Sequence, residues 1–319
     1  MKRVTFVLIL LFALTGLAFG CGNGEEDNQE DNQVVNGDGE AGDGEAGDGE
    51  AGDGDGTPED TIVDIASANA DFSLLVDAVV RADLVDTLNG PGPFTVFAPT
   101  NAAFESYLEG TSIDDLDPEV LSGILNYHVL GANVLAEDIE FGAYTTANGA
   151  LIIIGNGDGV TFGNANVTST DIVASNGVIH VIDAVVTPPG NAVEVATGAG
   201  FETLVAAAVA AGLGETLTTG GPFTIFAPNE EAFAAAGIDL ETIEQEVLAA
   251  VLQYHVLDGA VTSYDVAAGD VITLNGAAAT IAADGGLTYA GANIIATDVV
   301  ASNAIIHVID EVVFPPSDD

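Results

Sequence analysis

Gly92-Pro93-Phe94-Thr95-Val96-Phe97-Ala98-Pro99 recurs as Gly221-Pro222-Phe223-Thr224-Ile225-Phe226-Ala227-Pro228, 129 residues further on. Two more stretches repeat in the same order. Tyr127-His128-Val129-Leu130 returns as Tyr254-His255-Val256-Leu257, and Ile179-His180-Val181-Ile182-Asp183 as Ile306-His307-Val308-Ile309-Asp310, each offset by 127. All four histidines of the chain lie on this repeat, 52 residues apart within each copy. A period near 130 is too long for a solenoid unit and matches a whole domain. The chain is therefore a tandem pair, and most of its function is something one such domain can do.

Working outward from Phe94, each copy reads as helices first and strands after. Phe72, Leu75, Val76, Val79, Ala82 and Val85 fall at helical spacing, and Asn89-Gly90-Pro91-Gly92 ends that pattern. Phe94 to Phe97 is a short buried strand closed by Pro99. Thr100, matched by Asn229, is placed to cap the next helix, which carries Phe104 or Phe233. A further helix starts at Asp117-Pro118-Glu119 and puts Leu121, Ile124, Leu125 and His128 on one face. Strands are expected at Leu151–Ile154, Val160–Phe162, Ile172–Ala174 and Val178–Ile182, with a hairpin turn at Asn176-Gly177. This order argues an α+β domain rather than a parallel α/β sheet.

The three boxes resemble those of the fasciclin domain family. They are Phe94 to Thr100, Tyr127-His128, and Asp171 to Asp183, with counterparts at Phe223 to Asn229, Tyr254-His255 and Asp298 to Asp310. The resemblance covers about residues 59–316. It implies a β-wedge sheet packed with several helices, and a role in adhesion outside the cell through protein, matrix or polysaccharide partners. It also implies that Thr95, Phe97, Pro99, Tyr127, His128 and His180 support the fold, as do Thr224, Phe226, Pro228, Tyr254, His255 and His307 in the second copy. In animal members an Asp-Ile pair in the turn before the last box is tied to receptor binding. Asp171-Ile172 and Asp298-Val299 stand there, so they are the candidate partner contacts, against the plainer reading that they are core strand residues and solvated acids.

The residue types argue against catalysis. His180 and Asp183 are three apart in a strand, so their side chains leave opposite faces. No third ligand recurs at metal-site spacing, so neither a metal nor a cofactor is expected. There is no Gly-x-Ser-x-Gly elbow and no phosphate-binding loop ending in Gly-Lys. Asn166-Val167-Thr168 fits a glycosylation sequon that the second copy lacks.

Charge and termini complete the reading. The chain has 50 acids and three bases, and beyond Cys21 only Arg81 is basic, a formal charge of −49. Such a surface excludes nucleic acid, which needs Lys and Arg for its phosphates. In dilute buffer it repels itself, and molar salt screens that repulsion, so a saline habitat is expected. Met1-Lys2-Arg3 followed by the apolar run Val4 to Phe19 has the layout of a signal peptide. Leu17-Ala18-Phe19-Gly20-Cys21 resembles a prokaryotic lipobox, which implies lipidation of Cys21. Residues 22 to 60 hold 15 acids, include three copies of Gly-Asp-Gly-Glu-Ala, and are nearly without apolar residues. A flexible coil of that length spans roughly 35 Å.

The expected organisation is a signal peptide at 1–20, an acidic glycine-rich tether at 21–58, fasciclin-like domains at 59–188 and 189–316, and a tail at 317–319. The expected protein is a membrane-anchored lipoprotein of the cell envelope, exposed to the periplasm or the exterior. It attaches to cell-surface or matrix protein or polysaccharide, with divalent cations as candidate bridges. The alternatives are a structural envelope protein, and a small-ligand binder or enzyme using the paired histidines.

Overall fold

A computed structural model describes residues 59–316 except 158, 284 and 285. Cys21, the signal-peptide reading and the tether lie outside the described residues. No helix among the described residues is long and apolar enough to cross a membrane.

The first copy opens with helices α1 (Ile62–Ala68), α2 (Ser73–Arg81) and α3 (Val85–Leu88). Thr61 starts α1 with a capping box: its hydroxyl accepts from the Asp64 amide, and the Asp64 carboxylate returns to the Thr61 amide. The single apolar stripe expected from Phe72 to Val85 is broken between α2 and α3, where Asp83 takes φ 58°. The second copy shows the reason at the matching place, since Gly212 holds φ 76° there. Strand β1 (Phe94–Pro99) follows, then α4 (Asn101–Leu108), capped by Thr100, and α5 (Pro118–Tyr127), capped by Asp117.

The remaining strands are β2 (Val129–Leu130), β3 (Gly142–Thr145), β4 (Leu151–Gly155), β5 (Thr161–Phe162), β6 (Ala165–Ala174) and β7 (Gly177–Ile182). They form one mixed sheet of seven strands in the order β2-β1-β7-β6-β5-β4-β3. β1 and β7 are parallel, with Phe97 opposite His180, and β1 and β2 are antiparallel. The first and last boxes thus lie on adjacent strands of the sheet.

The second copy repeats the plan. Its helices are α6 (Ala192–Gly198), α7 (Glu202–Ala210), α8 (Gly214–Thr219), α9 (Glu230–Ala236) and α10 (Gln245–Tyr254). Its strands are β8 (Phe223–Pro228), β9 (Val256–Asp258), β10 (Gly269–Ile272), β11 (Ala278–Ala282), β12 (Thr288–Tyr289), β13 (Ala292–Ala301) and β14 (Ala304–Ile309). They lie in the corresponding order, β9-β8-β14-β13-β12-β11-β10.

β1 reads as a continuous apolar run because both of its faces are covered. Alternate side chains enter different cores. Val96 and Ala98 pack with Leu75, Phe104 and Leu121 from the helices. Phe97 packs with Ile152, Ile154 and Phe162 on the other face. Its ring lies on Phe162 at 4.0 Å between centroids, and Phe226 on Tyr289 at 3.7 Å. The extra hydroxyl of Tyr289 donates to the Tyr254 carbonyl and so is satisfied in the core. The glycine two residues before the first box is forced by the last one. Gly92 sits at φ 52°, and a Cβ there would lie 2.1 Å from the Asn176 carbonyl oxygen.

Candidate functional site

The box residues converge on one loop. β2 ends at Leu130, and the chain then passes beside the β1–β7 pair toward Ala136. Thr95 is fully buried; its hydroxyl donates to the Ala132 carbonyl at 2.6 Å and accepts from the Val134 amide at 2.9 Å. His180 donates through Nε2 to the Val134 carbonyl at 2.9 Å. The Asp171 carboxylate accepts from the Ala136 amide at 2.8 Å. Three side chains from three strand positions thereby fix residues 132–136. The second copy does the same to residues 259–263. Thr224 donates to the Gly259 carbonyl and accepts from the Val261 amide, and His307 donates to the Val261 carbonyl. Asp298 accepts from the amide and the hydroxyl of Ser263.

Asp171 is not in a turn before the last box. It sits inside β6, which runs ten residues, at a β-bulge where the register with β7 shifts between Ser169 and Ile172. Its φ is 60°, and that of Asp298 is 62°. Aspartate tolerates this left-handed backbone better than most residues. The bulge aims the Asp171 amide at Nδ1 of His180, 3.3 Å away, and the Asp298 amide at Nδ1 of His307, 3.4 Å away. Ile172 and Val299 are half-buried and pack against the helix-side cores. Asp171 is therefore part of the clamp on the loop while remaining exposed, and Ile172 belongs to the core.

His128 works elsewhere. It caps the C-terminus of α5, where Nδ1 donates to the Ile124 carbonyl at 2.8 Å. Its Nε2 accepts from the Val186 amide at 3.1 Å, tying the end of the domain to the helix. His255 repeats both bonds, to the Val251 carbonyl at 2.8 Å and from the Val313 amide at 3.1 Å. The partners fix opposite tautomers: proton on Nδ1 in His128 and His255, on Nε2 in His180 and His307. Burial lowers His128 and His255 from 6.5 to about 4, only partly offset by the bond to the helix carbonyl. His307 is lowered as well, by burial first, against the opposing effects of its bond to Val261 and of the Asp298 charge. Each nitrogen of the four rings faces a backbone group. A metal or a transferred proton would displace bonds that hold the fold.

The other box residues also spend their polar groups on bonds within the domain. The Tyr127 hydroxyl donates to the Leu151 carbonyl and the Tyr254 hydroxyl to the Ala278 carbonyl; burial raises both phenols. Pro99 and Pro228 end β1 and β8 opposite Ile182 and Ile309. Asp183 does not meet His180. Its carboxylate accepts from the amide and the side-chain nitrogen of Asn166, both at 2.8 Å, and that side-chain bond chiefly lowers its pKa. Asp310 holds Asn293 in the same way. The asparagine of the sequon thus has a partner that recurs where there is no sequon.

Sequence reasoning read Asn176 as a turn residue and missed its larger part. Its side-chain oxygen accepts from the Ile62 amide at the start of α1. Its nitrogen donates to the carbonyls of Leu88 and Gly90 at the end of α3. Asn303 repeats the pattern with Ala192, Leu217 and Gly220. The retention of Asn303 when the following glycine becomes Ala304 was the available signal. Outside the repeat, Arg81 lines a surface cleft of about 840 Å³ with Asp77, Glu105 and Asp114. Its guanidinium donates to the Leu116 carbonyl at 2.9 and 3.2 Å, and the matching residue of the second copy is Ala210. Among the described residues no group of three or more His, Cys, Asp or Glu side chains is placed to hold a metal.

The family profile described as "Fasciclin domain" matches residues 70–188 and again 199–315, most of the chain. The chain belongs to the fasciclin domain family. Both fasciclin domains have the mixed seven-stranded sheet with helices, an α+β fold. The chain is 35% identical over 248 residues to transforming growth factor-beta-induced protein ig-h3 of Sus scrofa, which covers 72% of this chain and 36% of that protein. It is 39% identical over 142 residues to the cell surface glycolipoprotein MPB83 of Mycobacterium bovis, covering 42% of this chain and 63% of that one. It thus spans about a third of the length of the pig protein and under two thirds of the mycobacterial one. Among solved structures, a FAS1 domain pair from the insect cell adhesion molecule fasciclin I aligns at 17% identity with a TM-score of 0.36, over 79% of this chain and 98% of that one.

Proposed function

We propose that the two fasciclin domains are adhesive modules, displayed at the cell envelope by a lipid on Cys21 and an acidic tether, that attach the cell to protein or polysaccharide. Membership in the fasciclin family supports the general role in adhesion. The observation that carries the reading is the fate of the repeated polar residues. Thr95, His128, Asp171, His180 and Asp183, and their counterparts, all serve internal hydrogen bonds. What the two copies offer a partner is therefore shape and exposed surface. Anchor, spacer and two modules give reach and avidity, since a second contact on the same chain is intramolecular. The lipobox and the similarity to a mycobacterial protein named a cell surface glycolipoprotein support the anchor. A single acyl chain holds weakly, so stable display requires more than one.

With one base against 50 acids beyond Cys21, an acidic polysaccharide or a like chain is repelled unless salt screens the charge or divalent cations bridge it. The test is retention of the full chain on cell-envelope fractions at molar salt, with calcium or with a chelator. Retention that falls on chelation is expected. Retention indifferent to the chelator overturns cation bridging, and no retention under any condition overturns the adhesive role.

A further inference from the structure

In the first domain α1, α2 and α3 do not close fully onto β1. They leave a cavity of about 190 Å³ whose walls include Ala66, Val76, Val79, Leu88 and Val96. The second domain has the same walls at matching positions, and there the space falls to about 40 Å³. On the sheet side the difference follows side-chain size, since Val96 stands where the second domain has the bulkier Ile225. On the helix side it runs against size: Ile62 and Val79 line the larger cavity, Ala192 and Ala208 the smaller. Larger residues at these places go with a larger void, as props holding the helices off the sheet would produce.

The cavity has almost no polar lining. Ser67 is exposed. Both nitrogens of His128 are occupied by Ile124 and Val186. No buried side-chain nitrogen or oxygen among the described residues lacks a hydrogen-bond partner, so none waits there for water. Water needs two to four polar partners, and an apolar cavity of about 150 Å³ stays dry and takes up benzene or xenon. An empty void costs stability in proportion to its volume, which an apolar occupant recovers. We propose that the first fasciclin domain binds a small apolar molecule, of the size of benzene or a short alkane, between α1–α3 and β1, and that the second domain does not. This site is additional to the adhesive surface.

The test uses the full chain with labelled valine, leucine and isoleucine methyl groups, titrated with benzene. Val76, Val79, Val96 and Leu125 should shift in a saturable way, while Val205, Ile225 and Leu252 stay in place as an internal control. Ala66→Leu fills the space and should abolish the shifts. Xenon under pressure, on the unaltered chain, should move the same first-domain methyls and covers the case in which that variant does not fold. First-domain methyls that do not respond to benzene or xenon overturn the proposal. Equal responses in the two domains, or undiminished binding to a folded Ala66→Leu chain, overturn it as well.

Discussion

His128 and His255 show most plainly what the recurring polar residues do. Each is buried, neutral and bonded through both nitrogens to the backbone. Their folded pKa of about 4 lies below the ordinary 6.5, so the fold favours the neutral ring. Above pH 6.5 both states are neutral and the full contribution is present. As pH falls from 6.5 toward 4 the unfolded chain takes up protons first, and each ring costs its domain about 3 kcal/mol across that window. Relief of carboxylate repulsion acts the other way at low pH, so the effect is best read at molar salt. There, the first domain should lose stability between pH 6.5 and 4. His128→Gln should start about 2 kcal/mol lower at pH 7, having lost one buried bond, and should lack that slope. Denaturant unfolding at the two pH values checks both. A variant as stable as the wild type at pH 7, or one with the same slope, contradicts the role given to His128.

At the scale of the element, the bulge in β6 joins the last box to the loop after β2. Asp171 contributes its left-handed backbone, its amide toward His180 and its carboxylate toward Ala136. Asp171→Gly keeps the backbone and loses the carboxylate, a cost of about 1 kcal/mol; Asp171→Ala also strains the backbone and should cost about 2. If Asp171 instead serves chiefly as a partner contact, both variants keep the melting temperature and lose attachment, so melting and retention measured together separate the roles. The sequence showed this element only in part. Ile172 to Ala174 reads as strand, yet β6 begins at Ala165, because Asn166 to Asp171 is a polar run with little alternation. β2 is two residues long and β3 is Gly-Ala-Tyr-Thr, neither enough to show a period of two. The caps, the two-sided burial of β1 and the hairpin at Asn176 were legible because each is decided within a few residues. The parallel pairing of β1 with β7, the clamp on residues 132–136 and the hub at Asn176 join residues far apart in the chain, and local periodicity carries no signal of them. The candidate site was legible as a set of residues but not as an arrangement.

At the scale of the whole molecule, charge decides. Beyond Cys21 one arginine stands against 50 acids, and that residue, Arg81, closes the last turn of α2 and holds the Leu116 carbonyl. At 0.01 M salt the Debye length is about 30 Å, so charges across a domain repel one another; at 1 M it is about 3 Å and only near neighbours do. The fold must then gain stability as salt is added, since the compact state concentrates the charge and the unfolded chain spreads it. A gain of about 3 kcal/mol per domain raises the melting temperature by about 10 °C. Sodium and potassium chloride at equal ionic strength should act alike, because screening does not distinguish them. Calcium should act at far lower concentration only if carboxylates gather it at defined places. Calorimetry of the full chain across the three salts resolves the matter. A midpoint that stays put from dilute buffer to molar salt refutes self-repulsion as the dominant strain, and a rise completed by millimolar calcium replaces screening with site binding.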